Sequence, residues 1–315
     1  MIDPLFTLKN RDFIGIADLS PEELKFLVES ALRFKQMYYS GQKYIPLLKN
    51  KVIALIFQKP STRTRVSMEV AAIELGAVPL VFNWNELQLG RGEPIKDTAR
   101  VLERYVDAIA ARVYSHNDIV ELAKYSSKPV INMLSDYEHP LQAVADMVTI
   151  TEKKGGVKGV KVAYVGDARN NVAHSLILAA AKMGAVVSIA APRKLWPASQ
   201  ILKAAQLDAE EAGGEIIVTE DPIEAVKGAD VVYTDVWVSM GQEQLREEKV
   251  RLLQPYQVNS KLMEAAGKAI FMHCLPAHRG EEVTDDVIDG PRSAVWVQAE
   301  NRLHSAKAVL ASLVP

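Results

Sequence analysis

Short apolar runs alternate with longer amphipathic ones along most of the chain. "VIALIF" at 52–57, "PLVF" at 79–82, "DAIAARV" at 107–113 and "PVINM" at 129–133 have the length and continuity of strands covered on both faces. Helical patterns over 61–76, 97–105 and 116–126 separate them. A longer helix around 140–154 runs into Lys153-Lys154-Gly155-Gly156, cations and glycines that stop a helix. The alternation restarts with "VKVAYVG" at 160–166, "VVSIA" at 186–190, "EIIV" at 215–218, "DVVYTDV" at 230–236 and "AIFMHCL" at 269–275. Strands alternating with helices build parallel sheets covered on both faces. Two such series predict an α/β protein of two doubly wound parallel-sheet domains, 1–150 and 151–298. In the last segment, 299–315, Leu303, Ala306, Leu310 and Leu313 share one helical face, which predicts a helix packed back on the first domain.

In open parallel sheets, ligands bind beyond the carboxyl ends of the strands. In the first series those places hold Ser61-Thr62-Arg63-Thr64-Arg65, then Arg112, then Ser135 through Gln142. In the second they hold Asp167-Ala168-Arg169-Asn170-Asn171, then Trp237 to Gly241, then Cys274-Leu275-Pro276. The polar residues gather where this architecture puts a site, and the active site is expected in the cleft between the two domains.

Composition narrows the class. With 315 residues, 49% apolar and 24% charged, the chain reads as soluble and globular with ample core. A formal charge of -2 gives no global case for nucleic acid, so any basic site is local. The single cysteine, Cys274, excludes an intrachain disulfide framework and fits a reducing compartment. Met1-Ile2-Asp3-Pro4 opens no basic-then-apolar signal segment, and no apolar run of about twenty residues follows. A cytoplasmic protein with no membrane contact is the expectation.

The stretch "QKPSTRTRVSMEV" is chemically odd. Val66, Val70 and Ile73 recur at i, i+4 and i+7 and mark a helix starting near Ser61, with Ser61 or Thr62 as cap. Cations in a first turn oppose the helix dipole. Free backbone N–H groups, three hydroxyls and two guanidinium groups instead make a cradle for a tetrahedral anion; the alternative is a capped helix with solvated arginines. The nucleotide-binding G-x-x-x-x-G-K-[ST] is absent. Arg112 ends an apolar strand and needs an anion or a carboxylate partner. His139-Pro140-Leu141-Gln142 opens the long helix, where imidazolium is disfavoured, so His139 is expected neutral and able to polarise a carbonyl. Asp235, before the loop Ser239-Met240-Gly241, can hold an ammonium or merely form a turn. His273, Cys274 and His278 raise the question of zinc, but no second cluster supplies a further ligand at familiar spacing.

In order from Lys59 to Arg302, over most of the chain, these motifs resemble the aspartate/ornithine carbamoyltransferase family. Ser61-Thr62-Arg63-Thr64-Arg65 is similar to its carbamoyl-phosphate signature and His139-Pro140-Leu141-Gln142 to its H-P-x-Q motif. Leu141 stands where many members have cysteine. Asp235 to Gly241 resembles the D-x-x-x-S-M-G loop of the ornithine branch, and His273-Cys274-Leu275-Pro276 its H-C-L-P motif, where the aspartate branch has H-P-L-P-R. The resemblance implies transfer of the carbamoyl group of carbamoyl phosphate to the δ-amine of L-ornithine, giving L-citrulline and phosphate in arginine metabolism. It implies a carbamoyl-phosphate domain at 1–150 and an ornithine domain at 151–298, with no cofactor and no metal. Ser61, Thr62, Arg63, Thr64, Gln88, Arg112, His139, Gln142, Cys274, Leu275 and Arg302 would bind carbamoyl phosphate. Asn171, Asp235, Ser239 and Met240 would bind ornithine, and Arg63, Arg112, His139 and Cys274 would be catalytic. The family also implies a homo-oligomer, a trimer or an assembly of trimers.

Overall fold

The computed structural model describes residues 8–239, 241 and 243–315. In chain order the elements are α1 (Pro21–Tyr39), β1 (Val52–Phe57), α2 (Arg63–Glu74), β2 (Val78–Asn83), α3 (Ile95–Leu102), β3 (Ala108–Arg112), α4 (His116–Tyr125), β4 (Val130–Leu134) and α5 (Pro140–Lys154). They continue with β5 (Lys161–Val165), α6 (Asn171–Lys182), β6 (Val186–Ala190), α7 (Ser199–Ala212), β7 (Glu215–Thr219), α8 (Pro222–Val226), β8 (Val231–Tyr233), α9 (Arg246–Leu253), α10 (Ser260–Ala265), β9 (Ile270–Met272), α11 (Asp285–Ile288) and α12 (Val295–Leu313). Two compact units result. One is the chain up to Val148 together with Glu300–Pro315; the other is Thr149–Ala299.

The first unit holds a four-stranded sheet in the order β2-β1-β3-β4, and every pair is parallel. β1, β3 and β4 are buried almost throughout, which is why their sequences read as unbroken apolar runs. β2 is the edge strand, half exposed, and tolerates Pro79 because an edge leaves one row of N–H groups unused. The second unit holds five parallel strands in the order β7-β6-β5-β8-β9. Strand order reverses between β1 and β3 in the first sheet and between β5 and β8 in the second. Those switch points open a crevice at the carboxyl ends of the strands.

Three details differ from the pattern read in the sequence. The helix that starts near Ser61 exists, but Val66 and Ile73 are each 54% exposed, and α2 buries Thr64, Met68, Ala71 and Ala72 instead. Small alanines let the helix lie close on the sheet, and the apolar stripe faces outward. β8 and β9 end at Tyr233 and Met272, short of the apolar runs. There Thr234 donates its hydroxyl to Val165 O at 2.6 Å, and the His273 N–H goes to Gln298 Oε1 at 2.9 Å, so residues 234–236 and 273–275 leave the ladder. Finally, α12 starts at Val295; Trp296 is exposed and Leu303 only half-buried, yet from Asn301 onward the helix buries polar and apolar residues alike. Asn301, Arg302, His304, Ser305 and Lys307 are as covered as Ala306, Leu310 and Leu313. Among the described residues, no helix is long and apolar enough to cross a membrane.

Candidate active site

In the first unit the chain leaves β1 at Phe57 and enters α2 at Arg63. Thr62 takes the capping position with helical backbone (φ -85°, ψ -58°) and no capping side-chain bond, so no side chain closes the first turn. Thr64 is buried at the centre of the cluster. Its Oγ1 accepts from Arg302 Nη2 at 3.0 Å and from Arg112 Nη1 at 3.4 Å. With both acceptor positions engaged, the hydroxyl hydrogen of Thr64 is left to donate. Arg302 Nη1 donates to Gln142 Oε1 at 2.6 Å, and Gln142 Nε2 donates to Asp146 Oδ1 at 2.8 Å, which fixes the way the amide points.

His139 precedes α5 in the same unit and is buried. Burial first, then the charges of Arg302, Arg112, Arg63 and Lys59, hold its pKa well below the usual imidazole range. The neutral imidazole expected from a helix start therefore has desolvation and four cations behind it. The two arginines of the cationic first turn part company. Arg65 is exposed and pairs with Glu69 Oε2 at 3.5 Å, one turn on. Arg63 is half-buried and makes no hydrogen bond or ion pair among the described residues. Lys59, absent from the candidates, is buried with its ammonium 4.5 Å from the Tyr114 ring centroid and adds to the same positive field. Its only sequence signal is a lysine directly beyond a strand end. The side chains of Ser61, half-buried, and Thr62, exposed, make no hydrogen bond among the described residues. The same holds for Gln88, exposed at the start of a 3-10 turn (Gln88–Arg91).

In the second unit the candidates gather around Asp235, two residues past β8. Its carboxylate accepts from Cys274 Sγ at 3.0 Å and from Asn170 Nδ2 at 3.3 Å. Asn170 caps α6 through its other amide atom, with Ala173 N donating to Oδ1 at 2.7 Å. Asn171, the expected ligand, is the first residue of α6. Burial raises the pKa of Asp235, while the neighbouring His273 and the Cys274 hydrogen bond act in the other direction. No cation pairs with it among the described residues. Tyr164 donates to Asp167 O at 3.0 Å; burial, then Asp235 and Asp167, push its pKa well up, so it stays a phenol. Asp167 is occupied by Lys249 on α9, at 2.5 Å. Ser239 is half-buried and makes no side-chain hydrogen bond among the described residues; Met240 lies outside them.

The H-C-L-P segment is held by a dyad that no sequence motif marks. Leu275 N donates to His273 Nδ1 at 2.8 Å, so the ring proton sits on Nε2 and goes to Glu282 Oε1 at 3.1 Å. Leu275 adopts φ 59°, a left-handed backbone that a branched side chain disfavours and that clusters at functional sites. Asp235, His273 and Cys274 bring ligand-type atoms within 4.8 Å of one another. Both ring nitrogens of His273 are engaged, however, so a cation there would have to break one of those bonds.

Comparison with known families matches the carbamoyl-P binding domain of aspartate/ornithine carbamoyltransferase over residues 11–152, and the Asp/Orn binding domain over 158–313. The chain belongs to the aspartate/ornithine carbamoyltransferase family. An ornithine carbamoyltransferase of Hyperthermus butylicus is 66% identical over 308 residues, covering 98% of both chains. One from Pyrococcus furiosus, named ornithine carbamoyltransferase, anabolic, is 56% identical over 306 residues, covering 97% of this chain and 96% of its own. The solved structure of ornithine carbamoyltransferase from Pyrococcus furiosus superposes with a TM-score of 0.94 at 56% identity, covering 98% of this chain and 99% of that one. That from Thermus thermophilus gives 0.86 at 42%, covering 98% of this chain and 100% of that one. In this carbamoyltransferase the two clusters carry opposite imbalances of charge. Arg63 in the first lacks an anion, and Asp235 in the second lacks a cation.

Proposed function

We infer that the protein transfers the carbamoyl group of carbamoyl phosphate to the δ-amine of L-ornithine, giving L-citrulline and phosphate in arginine metabolism. The observation that carries this reading is that charge imbalance. A phosphate dianion complements Arg63, Arg112 and Lys59, and an amino-acid ammonium complements a buried, uncompensated Asp235. The ornithine carbamoyltransferase names of close relatives agree with it.

The reading gives each residue a task. Ser61, Thr62, Arg63 and the open first turn of α2 hold the phosphate, with Gln88 supplied from a neighbouring subunit. Arg112, neutral His139 and the donating hydroxyl of Thr64 polarise the carbonyl and stabilise the oxyanion. Gln142 and the carbonyls of Cys274 and Leu275 orient the carbamoyl nitrogen, and Arg302 holds Thr64 and Gln142 in place while contacting the substrate. Asn171 and Asp235 take the α-carboxylate and α-ammonium, with Ser239 and Met240 over the side chain. The δ-amine, whose free pKa resembles that of lysine at about 10.4, loses a proton on desolvation near the arginines. It then attacks the carbonyl carbon, the C–O bond to phosphate breaks, and the departing phosphate takes the second proton. Cys274 orients the amine and forms no covalent bond. Positioning and electrostatics suffice without cofactor or metal.

We further propose a homotrimer, alone or assembled into larger particles, located in the cytoplasm. The outward apolar face of Val66, Ile73, Val78 and Leu80, and the unengaged Gln88, support the oligomer. The single free thiol supports the reducing compartment. Light scattering at assay concentration tests the subunit number; a monomer would remove the shared role of Gln88. The activity is tested by citrulline formation with L-ornithine, L-aspartate, putrescine and N-acetyl-L-ornithine as parallel acceptors. Turnover with ornithine alone is expected. Turnover with another amine would overturn the Asp235 half, and silence with all four would overturn the whole reading.

A further inference from the structure

The terminal helix α12 carries Arg302 into the phosphate cluster, yet its most deeply buried charge lies elsewhere. Lys307 is 0% exposed, forms an ion pair with Glu74, and sits 5.4 Å from the Tyr38 ring centroid. Glu74 is the last residue of α2, the helix whose first turn holds Arg63 and Thr64. So α12 grips α2 at both ends, through Arg302 on Thr64 and through Lys307 on Glu74. Thr64 and Glu74 stand ten positions apart on α2, about 15 Å at the α-helical rise. The same helix is also tied to α1: Lys35 donates to Asn301 at 2.9 Å and Tyr39 to Glu300 at 2.6 Å, beside the Tyr38 ring that Lys307 faces.

A buried lysine is costly unless paired, and apolar residues of equal volume generally stabilise as well or better. Stability alone therefore gives little reason for a charge at 307. Geometry gives one. A slip of α12 by one residue moves Arg302 by about 1.5 Å along the axis and turns it by about 100°. Either displacement separates it from Thr64 and Gln142. We propose that Lys307 is a positioning residue for the anion site: through Glu74 it fixes α2 against α12, and so sets where Arg63, Thr64 and Arg302 meet the phosphate.

The proposal rests on the carbamoyl-phosphate reading of that cluster, and the experiment separates the two. Full-length wild type, Lys307→Met and Lys307→Arg are compared for direct calorimetric binding of carbamoyl phosphate and for KM of each substrate, well below each melting temperature. Met is unbranched and one heavy atom shorter than Lys, and Glu74 is close enough to the surface to hydrate, so the variant is expected to fold. The expected result is about a tenfold loss of carbamoyl-phosphate affinity in Lys307→Met. KM for ornithine at saturating carbamoyl phosphate should stay unchanged, and Lys307→Arg should recover most of the loss. If Lys307→Met melts lower but binds carbamoyl phosphate as wild type does, the residue is merely structural and the proposal is wrong. If wild type itself fails to bind carbamoyl phosphate, the site reading falls first. Should Lys307→Met fail to fold, the double variant Glu74→Leu/Lys307→Met, which leaves no unpaired charge, carries the same expectation and the same refutation.

Discussion

Replacing Arg302 by Met tests the proposed phosphate site most directly. The guanidinium makes two hydrogen bonds, 2.6 Å to Gln142 and 3.0 Å to Thr64, in a buried setting. Hydrogen bonds from charged donors contribute about 1.5–3 kcal/mol each, so their loss costs at least about 3 kcal/mol of organisation at the site. If that organisation is realised in the transition state, kcat/KM falls by about two orders of magnitude. A second signature follows from charge. After burial, Arg302 is the largest influence holding His139 neutral, so its removal raises the imidazole pKa. The acid limb of the kcat/KM profile should move to higher pH, because the protonated form is the wrong donor. Arg302→Lys keeps the charge but not the fork. It should retain the wild-type acid limb while still losing at least about tenfold in kcat/KM. Citrulline assays across pH on all three proteins settle it. An Arg302→Met enzyme within about threefold of wild type, or one whose acid limb stays put, would refute the argument.

Other expectations follow from the same geometry. Asp235→Asn should raise KM for ornithine by about tenfold or more and leave carbamoyl-phosphate binding alone, as calorimetry with each ligand would show. Cys274→Ser, which keeps a donor to Asp235, should retain far more turnover than Cys274→Ala; equal losses would mean that the hydrogen bond is immaterial. Lys249→Met should destabilise the second unit by about 3–5 kcal/mol because it strands buried Asp167, and Asp167→Asn in the same chain should recover part of it in thermal melts. His304, on α12, is buried beside Lys307 and Lys35 and has its pKa lowered to about 4, chiefly by desolvation. Above pH 6.5 it is neutral folded or unfolded. As pH falls towards 4 the unfolded chain takes up a proton that the folded one refuses, so about 3 kcal/mol of stability is lost across that window. Denaturant titrations at pH 7 and pH 4 should show a smaller loss in His304→Gln.

The α/β class was legible because strands covered on both faces are unbroken apolar runs, which stand out from the helices between them. Periodicity was less informative about which way a helix faces. α2 has the right period, but Val66 and Ile73 look outward, since only tertiary packing decides which stripe meets the sheet. α12 shows the converse. Its buried positions include lysine, histidine, arginine and asparagine, which no hydrophobic pattern marks because each is covered together with a distant partner. Strand ends pointed to Ser61–Arg65, Arg112 and Asp235 without knowledge of the family. The meeting of Arg302 with Thr64 and Gln142, 238 and 160 residues away in sequence, could be suspected only through the resemblance. Asn170, Lys59 and Glu282 were given no role because a cap, a lone lysine and an acidic pair look ordinary until the fold places them.

The composition of the first unit also bears on how a cell makes this protein. That unit is discontinuous: the chain up to Val148, then Glu300–Pro315. On a ribosome its sheet emerges early, whereas the helix that supplies Arg302 arrives only after the whole second unit has been synthesised. Folding in the order of synthesis, usual for domains, is therefore possible here for the second unit and impossible for the first. A nascent chain would expose Thr64 and Gln142 without their guanidinium until residue 302 has been made, so this cluster is completed only after the second unit has been synthesised.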